Sequence, residues 1–211
     1  MQGSGPVVGF DLDMTLIDSR PGVAATLRAI TAETGVPIDA DLVVSRLGPR
    51  LEDEMALWFP EAEVAPVSDR YRELYAALGV PGSELLPGAA EAVTAVRAAG
   101  GRSVVVTAKH GPNADLCLAH VGLAVDAVVG SRHGPGKADA LVEHGAVAYV
   151  GDTPPDMVAA RAAGVVAVGV TTGPHDRDTL LGAGADVVLD SLRRFPAWFA
   201  AWRRGDGVGA A

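Results

Sequence analysis

The sequence contains little cysteine, little lysine and no long apolar run. Cys117 is the only cysteine among 211 residues, so the chain cannot form an internal disulfide bond. No stretch reaches the ~20 consecutive apolar residues that a membrane-spanning helix needs. The first residues also lack a basic segment that leads into an apolar one, which is the pattern of a secretory signal. We therefore expect a cytoplasmic protein.

Positive charge is also scarce. The formal net charge is −9, which argues against a nucleic acid or an anionic membrane surface as the partner, because both favour a basic face. Among the 17 basic residues only Lys109 and Lys137 are lysines, and the rest are arginines. If the substrate is an anion, its attraction to this protein must be local. The two lysines are therefore candidates for a binding site.

Two aspartates follow the first apolar run of the chain. The composition of Val7–Phe10 indicates a short buried strand, and Asp11, Asp13 and Thr15 come directly after it. Side chains in an extended segment alternate with a period of two residues, so the two carboxylates point the same way. Two like charges this close require a cation, and Mg²⁺ is the simplest choice at a site that also binds phosphate. For an isolated pair of aspartates the alternative is a simple turn.

In the second half of the chain, short runs of valine and other apolar residues alternate with helical patterns. This alternation predicts a parallel sheet with helices on both faces, which is an α/β fold of the doubly wound, Rossmann-like kind. After the first strand, further strands are predicted at 102–107, 127–129, 147–150, 165–170 and 186–189. A final helix precedes a glycine-rich tail, which we expect to be disordered.

The segment between the first strand and the rest of the sheet contains no convincing strand. Apolar residues recur there with helical spacing, and breakers such as Pro60 and Gly79 separate the helices. A helical block of this size, inserted after the first strand, predicts a lid over the loop that carries the two aspartates. We therefore expect a core domain of residues 1–18 and 86–211 and an all-helical cap domain of residues 19–85.

Polar side chains end several of the predicted strands. Asp11 and Asp13 follow the first strand, Thr107 ends the second, and Asp152 follows a later one. A doubly wound sheet places the carboxyl ends of its strands at one edge, so these residues are expected to meet in one crevice. This convergence favours a shared site over the simpler explanation for each residue alone, which is a turn for the aspartates and an ordinary strand residue for Thr107.

For two other residues, a structural role and a role in the site both remain possible. Thr153 and Asp156 fit a capping box with proline in the first helical turn, so Asp156 either caps a helix or contributes to the site. Lys137 could be an exposed residue at a helix start, although a cation in that position opposes the helix dipole.

The order of these motifs resembles that of the haloacid dehalogenase-like hydrolases. The matching elements are Asp11-Leu12-Asp13-Met14-Thr15-Leu16, then Thr107 after a valine strand, then Lys137, and finally Gly151-Asp152-Thr153-Pro154-Pro155-Asp156. The helical block between the first and second motifs is similar to the cap of the phosphoglycolate phosphatase-like branch. The resemblance covers nearly the whole chain and carries four motifs in order, which makes it specific.

The resemblance implies a role for each matching residue. Asp11 would be the nucleophile that attacks phosphorus and forms an aspartyl-phosphate. Asp13 would protonate the leaving oxygen and then activate water. Thr107 and Lys137 would hold the phosphoryl oxygens. These roles suit phosphoryl transfer, which depends on positioning and on neutralisation of charge.

The resemblance also implies Mg²⁺ as the cofactor and a small phosphorylated metabolite as the substrate. The residues expected to hold the metal are Asp11, Asp13 through its backbone carbonyl, Asp152, and Asp156 as support from the same loop. The residues expected to contact the substrate are Thr15, Arg50, Ala108 and Lys109. We expect the protein to be a monomer or a homodimer.

The sequence departs from the family pattern at two positions, which bear on the choice of activity. Met14 stands where the family usually has glycine, and Ala138 follows the motif lysine where proline is usual. Hydrolysis of a small phosphomonoester, phosphoglycolate-like or a sugar phosphate, is the expected reaction, because Asp13 argues against dehalogenation. A sugar phosphomutase remains an alternative since it uses the same two aspartates. A non-catalytic phosphate-binding or protein-interaction module is the second alternative, although it would not require Asp13.

Overall fold

The computed structural model describes residues 5–206, and the tail predicted to be disordered lies outside them from Gly207 onward. The strands are β1 (Val7–Phe10), β2 (Ile17–Asp18), β3 (Glu84–Leu85), β4 (Arg102–Val106), β5 (Ala127–Val129), β6 (Ala146–Gly151), β7 (Val166–Val170) and β8 (Val187–Leu189). The α-helices are α1 (Arg20–Thr34), α2 (Ala40–Ser45), α3 (Leu51–Met55), α4 (Glu61–Leu78), α5 (Ala89–Ala98), α6 (Gly111–His120), α7 (Pro135–Glu143), α8 (Pro154–Ala162), α9 (Arg177–Gly182) and α10 (Phe195–Arg204). No helix in this part of the chain is both long and apolar enough to cross a membrane.

Six strands form one parallel sheet in the order β5-β4-β1-β6-β7-β8. β1 lies inside it, with Phe10 opposite Val105 of β4 and Val150 of β6. Val105 packs into the hydrophobic cluster on one face, whereas Val104 and Val106 pack into the cluster on the other, as the alternation of a strand requires. Helices cover both faces, so the predicted doubly wound parallel sheet is confirmed.

The helical insertion leaves and re-enters the core at one point. β2 and β3 pair antiparallel there, with Ile17 opposite Leu85. Between them α1 packs on α2 and α4, and α3 packs on α4. The inserted helical cap is therefore confirmed, while its limits at residues 19 and 85 stay a prediction. The small ribbon of β2 and β3 was not predicted, because two residues per strand are too few to show an alternating pattern.

The first inserted helix follows its local sequence closely. Pro21 lies in the first turn of α1, where its missing N–H group would have no helical partner in any case. Leu27 and Ile30 are buried on one face of the helix. Gly35 ends the helix with a φ of 75°, a left-handed conformation that glycine adopts without steric strain.

The loop between β1 and β2 holds a strained residue. Met14 has a φ of 60°, and among the other non-glycine residues described only Ser131 shares a positive φ. The Met14 side chain is buried, and its carbonyl oxygen accepts a hydrogen bond from Thr172 Oγ1 at 2.6 Å. These contacts hold methionine in a conformation that costs an L-residue about 1 kcal/mol or more. The loop therefore has the left-handed backbone that suits glycine, although methionine stands at position 14.

We expect the free energy of unfolding of Met14→Gly to be about 1 kcal/mol higher than that of Met14→Ala. Both variants lose the buried part of the methionine side chain beyond Cβ, so their difference reports mainly the backbone conformation. Urea denaturation of the two proteins measures it. A higher stability for the alanine variant, which is the usual order in helices and strands, would mean that residue 14 is not left-handed in solution.

Candidate active site

Asp11, Thr107 and Asp152 meet at the carboxyl edge of the sheet. They directly follow β1, β4 and β6 respectively, and all three are buried. The backbone N–H of Asp11 donates to the carbonyl oxygen of Val150 at 2.8 Å, which continues the pairing of β1 with β6 beyond the end of the strand. The structure thus brings together residues that are up to 141 positions apart, through the strand order that the sequence predicts.

Three buried carboxylates form the centre of the site. Asp11, Asp152 and Asp156 each contribute an oxygen that lies within 4.8 Å of the other two. Lys137 Nζ donates to Asp11 Oδ1 at 2.9 Å and to Asp156 Oδ1 at 2.6 Å. No other cation in residues 5–206 forms a salt bridge with these three carboxylates. One ammonium group therefore faces three acids.

The Asp156 carboxylate already has several donors. Besides Lys137, the Thr153 backbone N–H and Oγ1 donate to Oδ2 at 3.1 and 2.6 Å, and Tyr149 Oη, which donates to the Val106 carbonyl oxygen at 2.7 Å, lies 3.2 Å from Oδ1. Thr153 and Asp156 also form the capping box of α8, which was one of the two alternatives for Asp156. Because donors already occupy both of its oxygens, Asp156 is better suited to orient Lys137 than to bind an ion directly.

Asp152 is positioned by two residues that sequence analysis did not assign to it. Thr15 Oγ1 donates to Asp152 Oδ1 at 3.1 Å, and Thr15 is fully buried beside it. Thr15 is not among the residues that line the cavity described below, and its expected contact with the substrate stays a prediction. A side chain at Gly173 would collide with the Asp152 carboxylate, so this glycine leaves room for it. A single glycine in a predicted loop carries no signal for such a role.

The second aspartate of the first loop pairs with the other lysine. Lys109 Nζ donates to Asp13 Oδ1 at 2.8 Å. The Asp13 side chain is 25% exposed, and its carboxylate is not part of the group of three buried acids. Asp11 and Asp13 therefore differ in burial and in partner, although they are only two residues apart.

A cavity of about 300 Å³ lies between this edge of the sheet and the inserted helices. Core residues that line it include Asp11, Asp13, Thr107, Ala108, Lys109, Lys137 and Asp152. Residues of the insertion that line it include Arg46, Arg50, Tyr71, Arg72 and Tyr75. Three of the four expected substrate contacts, Arg50, Ala108 and Lys109, are among them. Nothing in the sequence indicated that the two tyrosines lie at the cavity.

The arginines that line the cavity differ in how firmly they are paired. Arg46 donates to Glu54 Oε1 at 2.8 Å, and Arg72 forms a salt bridge with Glu52. Arg50 lies 3.8 Å from the same Glu52, and 44% of its side chain is exposed. Arg50 is therefore the arginine with the weakest internal partner, which leaves it available to an anionic ligand.

Burial dominates the electrostatics of the acidic group. It raises the pKa of Asp11 to about 7, an effect that Lys137 offsets only in part. Burial also raises the pKa of Asp152 well above its usual value, and the charges of Asp156 and Asp11 add to this shift. Burial alone would lower the pKa of Lys137, yet Asp11 and Asp156 hold it well above its usual value. The site therefore has carboxylate oxygens whose charge lacks a full counterbalance, and such oxygens suit a hard divalent cation.

The chain is similar to known proteins in sequence and in fold. The sequence model of a family described as haloacid dehalogenase-like hydrolase matches residues 8–170. A phosphoglycolate phosphatase from Caulobacter vibrioides is 31% identical, over 92% of this chain and 90% of its own length. A phosphoglycolate phosphatase from Haemophilus influenzae is 28% identical, over 88% of this chain and 94% of its own. A solved haloacid dehalogenase-like hydrolase from Streptococcus pneumoniae superposes with a TM-score of 0.80 at 27% identity, covering 93% of this chain and 99% of its own.

Proposed function

This chain belongs to the haloacid dehalogenase-like hydrolases, and we propose that it is a Mg²⁺-dependent phosphatase that acts on a small phosphomonoester through an aspartyl-phosphate at Asp11. The observation that carries the proposal is the group of three buried carboxylates with Lys137, set at the floor of a cavity. Asp13 stands beside it with a separate partner. The relatives named phosphoglycolate phosphatase support this reaction class.

Mg²⁺ fits the donor set at the floor of the cavity. Asp11 and Asp152 would hold the ion, together with the backbone carbonyl of Asp13, and Asp156 would support them by orienting Lys137. All of these ligands are oxygens, which Mg²⁺ prefers, and the buried acids have more negative charge than Lys137 balances. When bound, the ion would neutralise charge on the phosphoryl group in transfer.

Asp11 is the proposed nucleophile. Its carboxylate oxygen forms a bond to phosphorus while the bond from phosphorus to the leaving oxygen breaks, which leaves an aspartyl-phosphate. Lys137 and Thr107 are proposed to hold the phosphoryl oxygens, because both are buried and line the cavity beside Asp11. An ammonium group in a site with little water neutralises developing charge more effectively than it would in solvent.

Asp13 is the proposed acid and base. In the first step a proton on Asp13 Oδ2, the oxygen that Lys109 does not contact, passes to the leaving oxygen, so the product departs as an alcohol. In the second step Asp13 takes a proton from water as the water oxygen attacks phosphorus, which releases phosphate and restores Asp11. Its partly exposed carboxylate faces the cavity and lies outside the metal-binding group, as both steps require.

The substrate is proposed to be phosphoglycolate or a sugar phosphate of similar size. The cavity volume of about 300 Å³ lies at the small end of ligand-binding sites. Arg50 is proposed to contact an anionic or polar group of the substrate, because it has the weakest internal partner among the arginines that line the cavity.

The test is phosphate release with Mg²⁺ from p-nitrophenyl phosphate and from a panel of metabolites that includes phosphoglycolate and hexose phosphates. We expect hydrolysis that EDTA abolishes. Interconversion of sugar phosphate isomers with little free phosphate would favour a phosphomutase. Absence of both reactions, with phosphate bound equally well when Asp13 is replaced, would favour a binding module.

Mg²⁺ should stabilise the protein more at about pH 8 than at about pH 5. The raised pKa of Asp11 means that the folded protein without metal binds more protons than the unfolded chain at pH values between the usual pKa of a carboxyl group and about 7, and the raised pKa of Asp152 acts in the same direction. Its stability therefore falls as the pH rises through this window, and Mg²⁺, which binds the deprotonated acids, offsets this loss.

Thermal unfolding with EDTA or with Mg²⁺ at the two pH values measures the effect. We expect the gain in Tm from Mg²⁺ to be greater by about 2 °C or more at the higher pH. An equal or larger gain at the lower pH would contradict metal binding by these carboxylates.

A further inference from the structure

Both lysines of the chain lie at the active site, Lys137 buried and Lys109 partly buried, and each pairs with one of the two aspartates of the first loop. Lys137 contacts Asp11, and Lys109 contacts Asp13. Each ammonium group also lies over a tyrosine ring, Lys137 at 5.6 Å from the Tyr149 centroid and Lys109 at 4.3 Å from that of Tyr75. The function proposed above gives Lys137 a role at the phosphoryl group. Lys109 needs an explanation of its own.

The backbone of Lys109 is fixed on both sides. Its N–H donates to Thr107 Oγ1 at 3.2 Å, and its carbonyl oxygen accepts from the Ser131 N–H at 2.8 Å. The side chain is only 10% exposed. A lysine loses much of its conformational freedom when it is held in this way, so a strong partner must hold it. That partner is the Asp13 carboxylate.

Tyr75 closes the other side of the ammonium group. This tyrosine belongs to α4 of the helical insertion and is 1% exposed, so the contact joins the insertion to the core. A cation over an aromatic ring and away from water is attracted to the face of that ring. The Lys109 ammonium therefore lies between Asp13 and Tyr75, and this is a poor position from which to bind a substrate anion.

We infer that Lys109 is a positioning residue that holds the Asp13 carboxylate in the orientation required for proton transfer, with Tyr75 as the wall behind it. This role rests on the proposed phosphatase function and replaces the substrate contact expected from the sequence. A charge-assisted hydrogen bond at 2.8 Å has the strength and direction to select one rotamer of a partly exposed aspartate. Lys109 acts through Asp13 and not on the phosphoryl group.

A pair of aryl phosphates separates these two possibilities. The p-nitrophenolate ion leaves readily without a proton, whereas the more basic phenolate needs protonation as it departs. The ratio kcat/KM reports the steps up to that departure. In Lys109→Met we expect kcat/KM for phenyl phosphate to fall by about 30-fold or more, and that for p-nitrophenyl phosphate to change by less than about threefold.

Two further variants show whether Lys109 acts through Asp13. Asp13→Asn should show the same preference for p-nitrophenyl phosphate, and adding Lys109→Met to it should lower kcat/KM for phenyl phosphate by less than about twofold. Lys109→Arg keeps the charge and should recover part of the loss. Because the arginine variant retains the ion pair, it also serves if the methionine variant does not fold, which circular dichroism will report.

The result that overturns the inference is a fall of equal size for both substrates, since that is the effect of a lost phosphate ligand or of a damaged fold. An unchanged kcat/KM for both substrates overturns it as well. So does a fall in kcat/KM for phenyl phosphate that is as large when Lys109→Met is added to Asp13→Asn as when it is made in the wild type. A wild-type protein that hydrolyses neither substrate with Mg²⁺ would instead refute the phosphatase assignment, and the role of Lys109 would fall with it.

Discussion

Asp11→Asn should lower kcat for hydrolysis of p-nitrophenyl phosphate with Mg²⁺ by about 10³-fold or more. The amide that replaces the carboxylate is a poor nucleophile toward phosphorus and a weaker ligand for Mg²⁺, so both proposed functions of Asp11 are lost. Steady-state assays over a range of substrate concentrations measure the effect. The matched control is Asp41→Asn, which changes an exposed carboxylate that lies on α2 and does not line the cavity, and should retain kcat within about twofold.

Without metal, Asp11→Asn should be as stable as the wild type or more stable. Asp11 is one of three buried carboxylates that lie close together, and burial already raises its pKa to about 7. Removal of its charge therefore relieves an unfavourable interaction near neutral pH. We expect the Tm in EDTA to equal or exceed that of the wild type, and the gain in Tm from Mg²⁺ to shrink. A large fall in Tm would assign the loss of activity to damaged folding, and would contradict the role given to Asp11.

Lys137→Met should have the largest effect on stability. The ammonium group of Lys137 is bonded to Asp11 and to the fully buried Asp156, so methionine leaves both acids without a cation. Breaking a buried ion pair from one side costs about 3–5 kcal/mol, and we expect a loss of unfolding free energy in this range near neutral pH. Urea denaturation measures it. Activity should fall by about 10²-fold or more, because the proposed clamp on the phosphoryl group is lost.

A double variant tests the cause of this loss. Adding Asp156→Asn to Lys137→Met removes one of the two stranded charges, so part of the lost stability should return. The loss should also be smaller at acidic pH, where the carboxyls take up protons. A loss that is the same at both pH values and is not reduced in the double variant would mean that packing, and not charge, gives Lys137 its effect.

The sequence allowed the sheet and the assembly of the site to be predicted, for a reason that lies in the topology. In a parallel sheet every strand ends at the same edge, so Asp11, Thr107 and Asp152 needed only correct strand assignments to be expected together. The run of valines before Thr107 and the apolar run before Asp11 made those assignments secure. The capping role of Asp156 is confirmed, and the same carboxylate bonds to Lys137, so the cap is compatible with the site role that stays a prediction.

Contacts between the insertion and the core could not be predicted from the sequence. Periodicity places Tyr75 in a helix, but does not show which residue of the core it contacts, because that depends on how the helix packs against the core. The contact of Tyr75 with Lys109 is of this kind. Thr15 was expected to contact the substrate, and the structure adds that its hydroxyl donates to Asp152. The direction of one side chain in a loop cannot be derived from spacing alone.

The central claim is that Asp11 accepts a phosphoryl group, and Asp13→Asn offers the most direct measurement of it. Formation of the intermediate from p-nitrophenyl phosphate needs little help from an acid, whereas its hydrolysis needs the base that this variant lacks. The variant should therefore accumulate the phosphorylated protein. After a short reaction with Mg²⁺ and an acid quench, mass spectrometry of the peptides should find one phosphoryl group on Asp11, and none in the variant that also carries Asp11→Asn. A phosphoryl group on another residue, or none at all while the wild type turns over, would contradict the account.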